Sequence, residues 1–220
     1  MRKIKLIEIL IFLIILFTVI ILSYISVNTI FSNIPLQETK GVLLVLLYVL
    51  TAYAYSFLFF RLFLKLFPLD EGEIDVTSKK EFIYHIYLLF YLIIFYPLIR
   101  SGFIPVPIMR IIYIFLEAHM GENTYSSGII LDPSFVSVGA NTLIGQYSLL
   151  VPHVIEGNKL AHYPITIGNN VTIGAHSVVM SNVTIEDGAI IAMGAVITKN
   201  TRVGKNEMWG GVPAKKINRS

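Results

Sequence analysis

The apolar residues of this chain follow two different rules. Up to about residue 116 they form long unbroken runs, and from about residue 121 they return at every sixth position. Residues 9–27 make an uncharged run of 19 behind Arg2, Lys3 and Lys5. Residues 41–60 make a second run of 20, which ends at Arg61 and Lys65. Residues 82–99 make a third of 18, which carries His85, four tyrosines and Pro97 and closes at Arg100. A hydrocarbon layer about 30 Å thick takes roughly 20 apolar residues as helix, so runs of this length can span it. A cleaved leader fits the first run poorly, because the run exceeds the usual apolar core of a leader and no small-x-small site follows it.

Positive charge in short flanks orients such helices. The N-terminus carries three basic residues, the 28–40 loop has only Lys40, and the 61–81 segment has Arg61, Lys65, Lys79 and Lys80. Two crossings, at about 6–27 and 41–62, therefore leave the N-terminus and the 61–81 segment in the cytoplasm. The tyrosines of the third run and the Pro-Val-Pro at 105–107 suit a half-inserted or interfacial hairpin at about 82–118. The expected location is an integral cytoplasmic-membrane protein whose C-terminal domain faces the cytoplasm.

From Ile167 onward the sixth positions are Ile173, Val179, Ile185, Ile191, Ile197 and Val203, and the same phase appears upstream at Val138, Ile144 and Leu150. Four residues on stand Val171, Ser177, Val183, Ala189, Ala195 and Thr201, all small or β-branched. Gly139, Gly145, Gly168, Gly174 and Gly204 directly follow the aliphatic. A period of six fits no α-helix. It fits a chain that turns a corner after each short strand, three strands closing a triangular coil of roughly 18 residues whose aliphatics fill the interior. Glycine beside the corner is expected to tolerate unusual backbone angles. The fold class is thus α + β: helices over 1–119, then a parallel β-helix over 120–220. From Leu150 to Ile167 the phase breaks by 17 residues, which places an eleven-residue excursion, EGNKLAHYPIT, at 156–166. A loop inserted into a strict repeat is a functional candidate.

Composition then narrows the chemistry. A net charge of +3 without a basic run argues against nucleic acid as a partner. The absence of cysteine removes disulfides, thiolate metal sites and a cysteine nucleophile.

The string ITIGNNVTIGAHSVVMSNVTIEDGAIIAMGAVITKN at 165–200, with GGVPAKKI at 210–217, resembles the CoA-dependent hexapeptide acyltransferases of the left-handed β-helix superfamily. The resemblance runs from about residue 107 to the C-terminus. The N-terminal half more loosely resembles membrane-anchored members, with an Glu-Gly-Glu segment at 71–73. The resemblance implies a left-handed column, a homotrimer with sites between neighbouring columns, acetyl-CoA as co-substrate and no metal. It also implies a histidine base that lets the acceptor attack the thioester directly.

His153, in VPHVIEGNKL, matches the family's His-x-x-Glu-Gly element and is the expected base, with Glu156 placed to orient its ring. His162 in the excursion and His176 in the GAH corner are its rivals, while His85 and His119 read as structural or interfacial. The same resemblance carries the CoA site onto Ala175, Met193, Gly194, Thr198, Lys199 and Lys215. Lys215 stands where members often have Arg, so one ammonium replaces a bidentate fork. Met193 stands where Ala is usual. Trp209, at the next corner phase, reads as a cap on the column. The expected reaction is acetyl transfer to a membrane-held or lipid-linked sugar or envelope acceptor. The alternatives are a non-catalytic trimeric membrane scaffold and a metal hydratase similar to γ-class carbonic anhydrases. The latter needs three converging histidines, and His153, His162 and His176 lie 9 and 14 residues apart, unlike that class.

Overall fold

The first two apolar runs are helices in a computed structural model that describes residues 2–31 and 40–218. Helix α1 spans Leu6–Phe31 and α2 spans Lys40–Leu66. Both exceed the expected spans, since leucine, isoleucine and the flanking polar residues all tolerate helix. The expected 28–40 loop therefore loses its first residues to α1, and its 32–39 part lies outside the described residues. Helix α3, Lys79–Phe90, continues through a π turn at Tyr91–Phe95 into α4, Tyr96–Arg100. The π turn stands directly before Pro97, whose ring and missing N–H disrupt regular helix one turn upstream. Helix α5 spans Val106–Phe115 behind Pro105. Among the described residues, Leu6–Ile30, Gly41–Leu66 and Lys79–Arg100 are long and apolar enough to cross a membrane.

Two compact units result. One joins Arg2–Leu69 to Lys79–Tyr96. Its helices meet through aromatic edges: Phe12 on Phe90 at 5.4 Å and Phe60 on Phe95 at 5.1 Å between centroids. Polar contacts fix the pairing, with Ser26 Oγ 2.7 Å from Tyr55 OH and the buried Glu8 carboxylate 2.9 Å from His85 Nδ1. The other unit joins Asp70–Ser78 to Pro97–Ser220. The division differs from a single cut near residue 119, because α5 and a stretch between α2 and α3 fold with the repeats.

The repeats form a three-faced column of parallel strands. The first face holds His119–Met120, Val136–Val138, Ile165–Ile167, Thr184–Ile185 and Arg202–Val203. The second holds Tyr125–Ser126, Leu143–Ile144, Thr172–Ile173, Ile190–Ile191 and Met208–Gly211. The third holds Ile129–Ile130, Leu149–Leu150, Val178–Val179 and Val196–Ile197. Ile167 pairs with Ile185 and Ile185 with Val203, the expected 18-residue coil. The corner aliphatics Ile144, Leu150, Val179, Ile197 and Val203 are fully buried, as are Ser177, Val183, Ala189 and Ala195 beside them. Burying one such aliphatic contributes roughly 1.5–3 kcal/mol.

Glycine and asparagine divide the corner work differently from expectation. A Cβ on Gly145 would stand 2.6 Å from the Ala175 backbone, and one on Gly174 would stand 2.5 Å from that of Met193. These glycines permit close stacking of coils. Left-handed backbone falls two residues later, on Asn141, Tyr147, Asn170 and His176, where asparagine carries the smallest penalty after glycine.

The first coil starts earlier than the countable phase. Met120, Ser126 and Ile130 pair with Val138, Ile144 and Leu150. Ile130 lies 20 residues from its partner instead of 18, so one corner is two residues short and the next, which contains Asp132, is two residues long. Helix α5 packs on this coil through buried Met109, Ile112, Tyr113 and Leu116. The Tyr113 hydroxyl donates to the Gly128 carbonyl at 2.8 Å and accepts from the Ile130 amide at 3.1 Å. At the far end Met208–Gly211 turns into an antiparallel hairpin with Ala214–Ile217. There Lys216, Trp209 and the Gly204 amide all bind Glu207 and hold its pKa down at about 2. Trp209 lies half-buried on the corner phase opposite Ile191, at the end of the column.

Candidate functional site

The excursion is an antiparallel hairpin, His153–Glu156 against Lys159–His162, turning at Gly157 with φ +60°. Across it, Ile167 pairs with Val138, 29 residues back instead of 18, so eleven residues leave the column. They leave earlier than the expected 156–166. Ile165 and Thr166 are already strand residues paired with Val136 and Ser137, and Thr166 cannot be loop while it holds that ladder. The strand Gly72–Glu73 adds antiparallel to the hairpin's outer edge, Gly72 opposite His162 and Glu73 opposite Ala161. The Ile74 amide extends the ladder by donating to the Leu160 carbonyl at 2.9 Å.

His153 opens the hairpin at the corner between the third and first faces. Its Nδ1 lies 2.5 Å from Asp132 Oδ2. Asp132 comes from the lengthened corner of the first coil, in left-handed backbone at φ +41° just before the Pro133–Phe135 turn. The carboxylate is nearly buried, at 4% side-chain exposure, while His153 keeps 22%. An ionised carboxylate accepts only, so Nδ1 carries the proton and Nε2 is left as the acceptor. A base oriented by a buried carboxylate is the arrangement that proton transfer from a hydroxyl requires.

Glu156 is not the partner of His153. It sits at the hairpin tip, more than half exposed, where it pairs with Lys199. The Lys199 hydrogen bond and charge pull the Glu156 carboxyl below its ordinary range. The separation follows from strand geometry: residues three apart in a strand point to opposite faces. Lys159, opposite Glu156, pairs with Glu73, which raises its pKa. His162 faces His153 across the hairpin but is fully buried, its ring stacked on Phe135 at 4.7 Å. Burial lowers its pKa, so it stays neutral in the packed interior.

The residues expected to hold CoA divide between two edges of the column. Thr198 and Lys199 follow the strand Val196–Ile197 at the His153 corner. Ala175, Met193 and Gly194 lie at the corner between the second and third faces, with His176. The third face separates the two edges by about 15–20 Å, the reach of five or six extended residues. Met193 is 74% exposed there. Lys215 is exposed on the terminal hairpin opposite Gly210. Asp132 and the strand Gly72–Glu73 escaped the sequence reading. The signal for Asp132 was the disturbed phase between Ile130 and Val138; nothing in the spacing marked the strand.

Fold and corner site together define a hexapeptide-repeat region, and residues 164–199 match the family description "Bacterial transferase hexapeptide (six repeats)". Among curated proteins, the galactoside O-acetyltransferase of Escherichia coli K12 is 37% identical over 108 residues, covering 45% of this chain and 52% of that protein. Gamma carbonic anhydrase 1 of Arabidopsis thaliana mitochondria is 35% identical over 121 residues, covering 45% of this chain and 43% of that protein. A solved galactoside acetyltransferase in complex with coenzyme A is 34% identical, with a TM-score of 0.43, covering 46% of this chain and 55% of that one. The chain thus spans about half the length of the curated relatives it matches.

Proposed function

We propose that this chain is a CoA-dependent acyltransferase that moves an acetyl group from acetyl-CoA to a hydroxyl of a membrane-held sugar or lipid-linked acceptor. The observation that carries the reading is the His153–Asp132 pair, which joins the excursion from the repeat to the lengthened corner of the first coil. His153 Nε2 takes the acceptor proton, the oxygen attacks the thioester carbonyl, and the tetrahedral adduct collapses. The C–S bond breaks, and the CoA thiolate recovers the proton from the imidazolium. Asp132 holds the ring and stabilises its charged form. The transfer is direct, in a chain without cysteine. The similarity to a galactoside O-acetyltransferase supports the acetyl donor and a sugar hydroxyl as acceptor.

The column is left-handed and trimeric in this reading. Ala175 and Met193 on one edge meet His153 of a neighbouring chain, because one column cannot bring its own two edges together. The catalytic unit lies on the cytoplasmic side, where CoA is available. Two features support that topology. The basic residues Arg61, Lys65, Lys79 and Lys80 flank the 70–78 stretch. That stretch is also paired with the catalytic hairpin, so both lie on one side of any bilayer. A single crossing by 79–100 would separate them, and the ten residues of α5, about 15 Å long, are too short to cross back.

A metal hydratase is the second reading, favoured by the similarity to a gamma carbonic anhydrase. His162 argues against it, since it is fully buried against Phe135, and His153 already engages a carboxylate. A non-catalytic scaffold would have no use for that pair. The deciding assay is thiol release from acetyl-CoA by purified full chain with a panel of sugar acceptors. His153→Ala is expected to lower turnover by about 10²-fold or more with acetyl-CoA binding retained. Undiminished transfer by that variant removes His153 as the base.

A further inference from the structure

A cavity of about 470 Å³ opens at the edge between the second and third faces, beside the first coil. That size falls in the ~300–1,000 Å³ range of small-molecule sites. Its two walls differ in chemistry. The α4–α5 segment contributes Ile104, Val106 and Met109, with the cation Arg100 at one end, and the column contributes Ser127, Gln146 and Tyr147. We propose that this cavity binds an amphiphile with a hydroxylated, sugar-like head and a hydrocarbon tail. The head faces the column's hydroxyls and amide, and the tail lies along the helical wall. The assignment rests on the acyltransferase reading for its role, which is to hold the acceptor.

Three observations select this occupant. Tyr147 takes left-handed backbone, φ +59°, at a corner position that Asn141, Asn170 and Asn206 fill elsewhere. A bulky residue there is strained, and such strain persists where a side chain is needed in place. Tyr147 is 63% exposed and its ring meets His176 at 5.1 Å, along the edge that carries Ala175 and Met193. Second, the same segment that forms the apolar wall exposes Phe103 at 89%, and Ile108, Ile111 and Phe115 continue as an exposed apolar stripe on α5. Exposed apolar area of this kind sets a lipid surface beside the cavity mouth, so the occupant's tail has a source. Third, the column wall offers neutral donors and acceptors, which suit hydroxyls.

The probe is octyl glucoside carrying a photoreactive diazirine in its chain, given to the full chain in phosphatidylcholine nanodiscs. Labelling is expected on residues 99–109 and 126–129. Unlabelled octyl glucoside should compete, and methyl glucoside or an octyl phosphocholine should not. Ile104→Trp fills the apolar wall, and Ser127→Leu removes a surface hydroxyl at little risk to folding. Each should reduce labelling at least about tenfold. Labelling spread over α1 and α2, or competition by any octyl chain regardless of head, overturns the proposal. The labelling needs no acetyl transfer. Site-specific labelling without transfer sinks the acyltransferase reading alone. Transfer equally fast to methyl and octyl glucoside, with no cavity label, sinks the cavity alone.

Discussion

Asp132 shows how the partner of a candidate site residue can be hard to find. It lies 21 residues before the histidine it holds, in a corner lengthened by two residues and in left-handed backbone that aspartate tolerates better than most. His153 was readable from its local string, because His-x-x-Glu-Gly is contiguous. Its partner was not, because only the stacking of one coil on the next brings them together. The same string misled on Glu156, whose strand position turns it toward Lys199. Asp132→Asn keeps the shape but offers Nδ1 an amide, which no longer enforces the productive tautomer. Turnover is expected to fall by about 10²-fold or more, with the KM for acetyl-CoA unchanged. Steady-state kinetics with a saturating acceptor check this; a rise in KM alone would reassign Asp132 to binding.

The hairpin that carries His153 is a two-stranded element, and such hairpins are marginal in water by themselves. Here the strand Gly72–Glu73 supplies a third edge, and the Glu73–Lys159 pair closes it. That exposed pair contributes little by itself. The backbone ladder and the buried Ile74, 5% exposed, contribute more. Ile74→Pro removes the amide that donates to Leu160 and should cost about 1–3 kcal/mol of local stability. The expected result is faster hydrogen exchange across 153–162, with kcat reduced and acetyl-CoA affinity retained. Unchanged exchange would show that the hairpin holds its shape without this strand. The repeats themselves needed no such help to be read, since a six-residue period survives in the sequence wherever the coils stay regular.

At the scale of the molecule, the placement of residues 70–78 bears on the proposed topology. A stretch between two apolar helices shares a folded unit with the repeats, and under the proposed membrane placement this argues against a lone crossing by the helix between them. The absence of cysteine makes the test clean. Single cysteines at Thr77 and Lys205 should react with a membrane-impermeant maleimide from the same side of sealed inverted vesicles, both from the cytoplasmic face. Labelling of the two from opposite faces would break the topology and the cytoplasmic site with it.

Sequence alone determined the two-part architecture, the helical runs and the repeating column, because each is a local or strictly periodic pattern. A buried aliphatic every sixth residue and an unbroken apolar run both report how the chain meets solvent, and solvent acts on every residue. The tertiary structure decided the rest. It set the true edges of the hairpin, the carboxylate that holds His153, the third strand, and the division of the expected CoA residues between two edges. Each of these depends on which coil stacks on which corner. The closing of an eleven-residue detour and a two-residue slip sets that pairing; the hydrophobic pattern shows where the phase breaks but not which residues the closed column brings together.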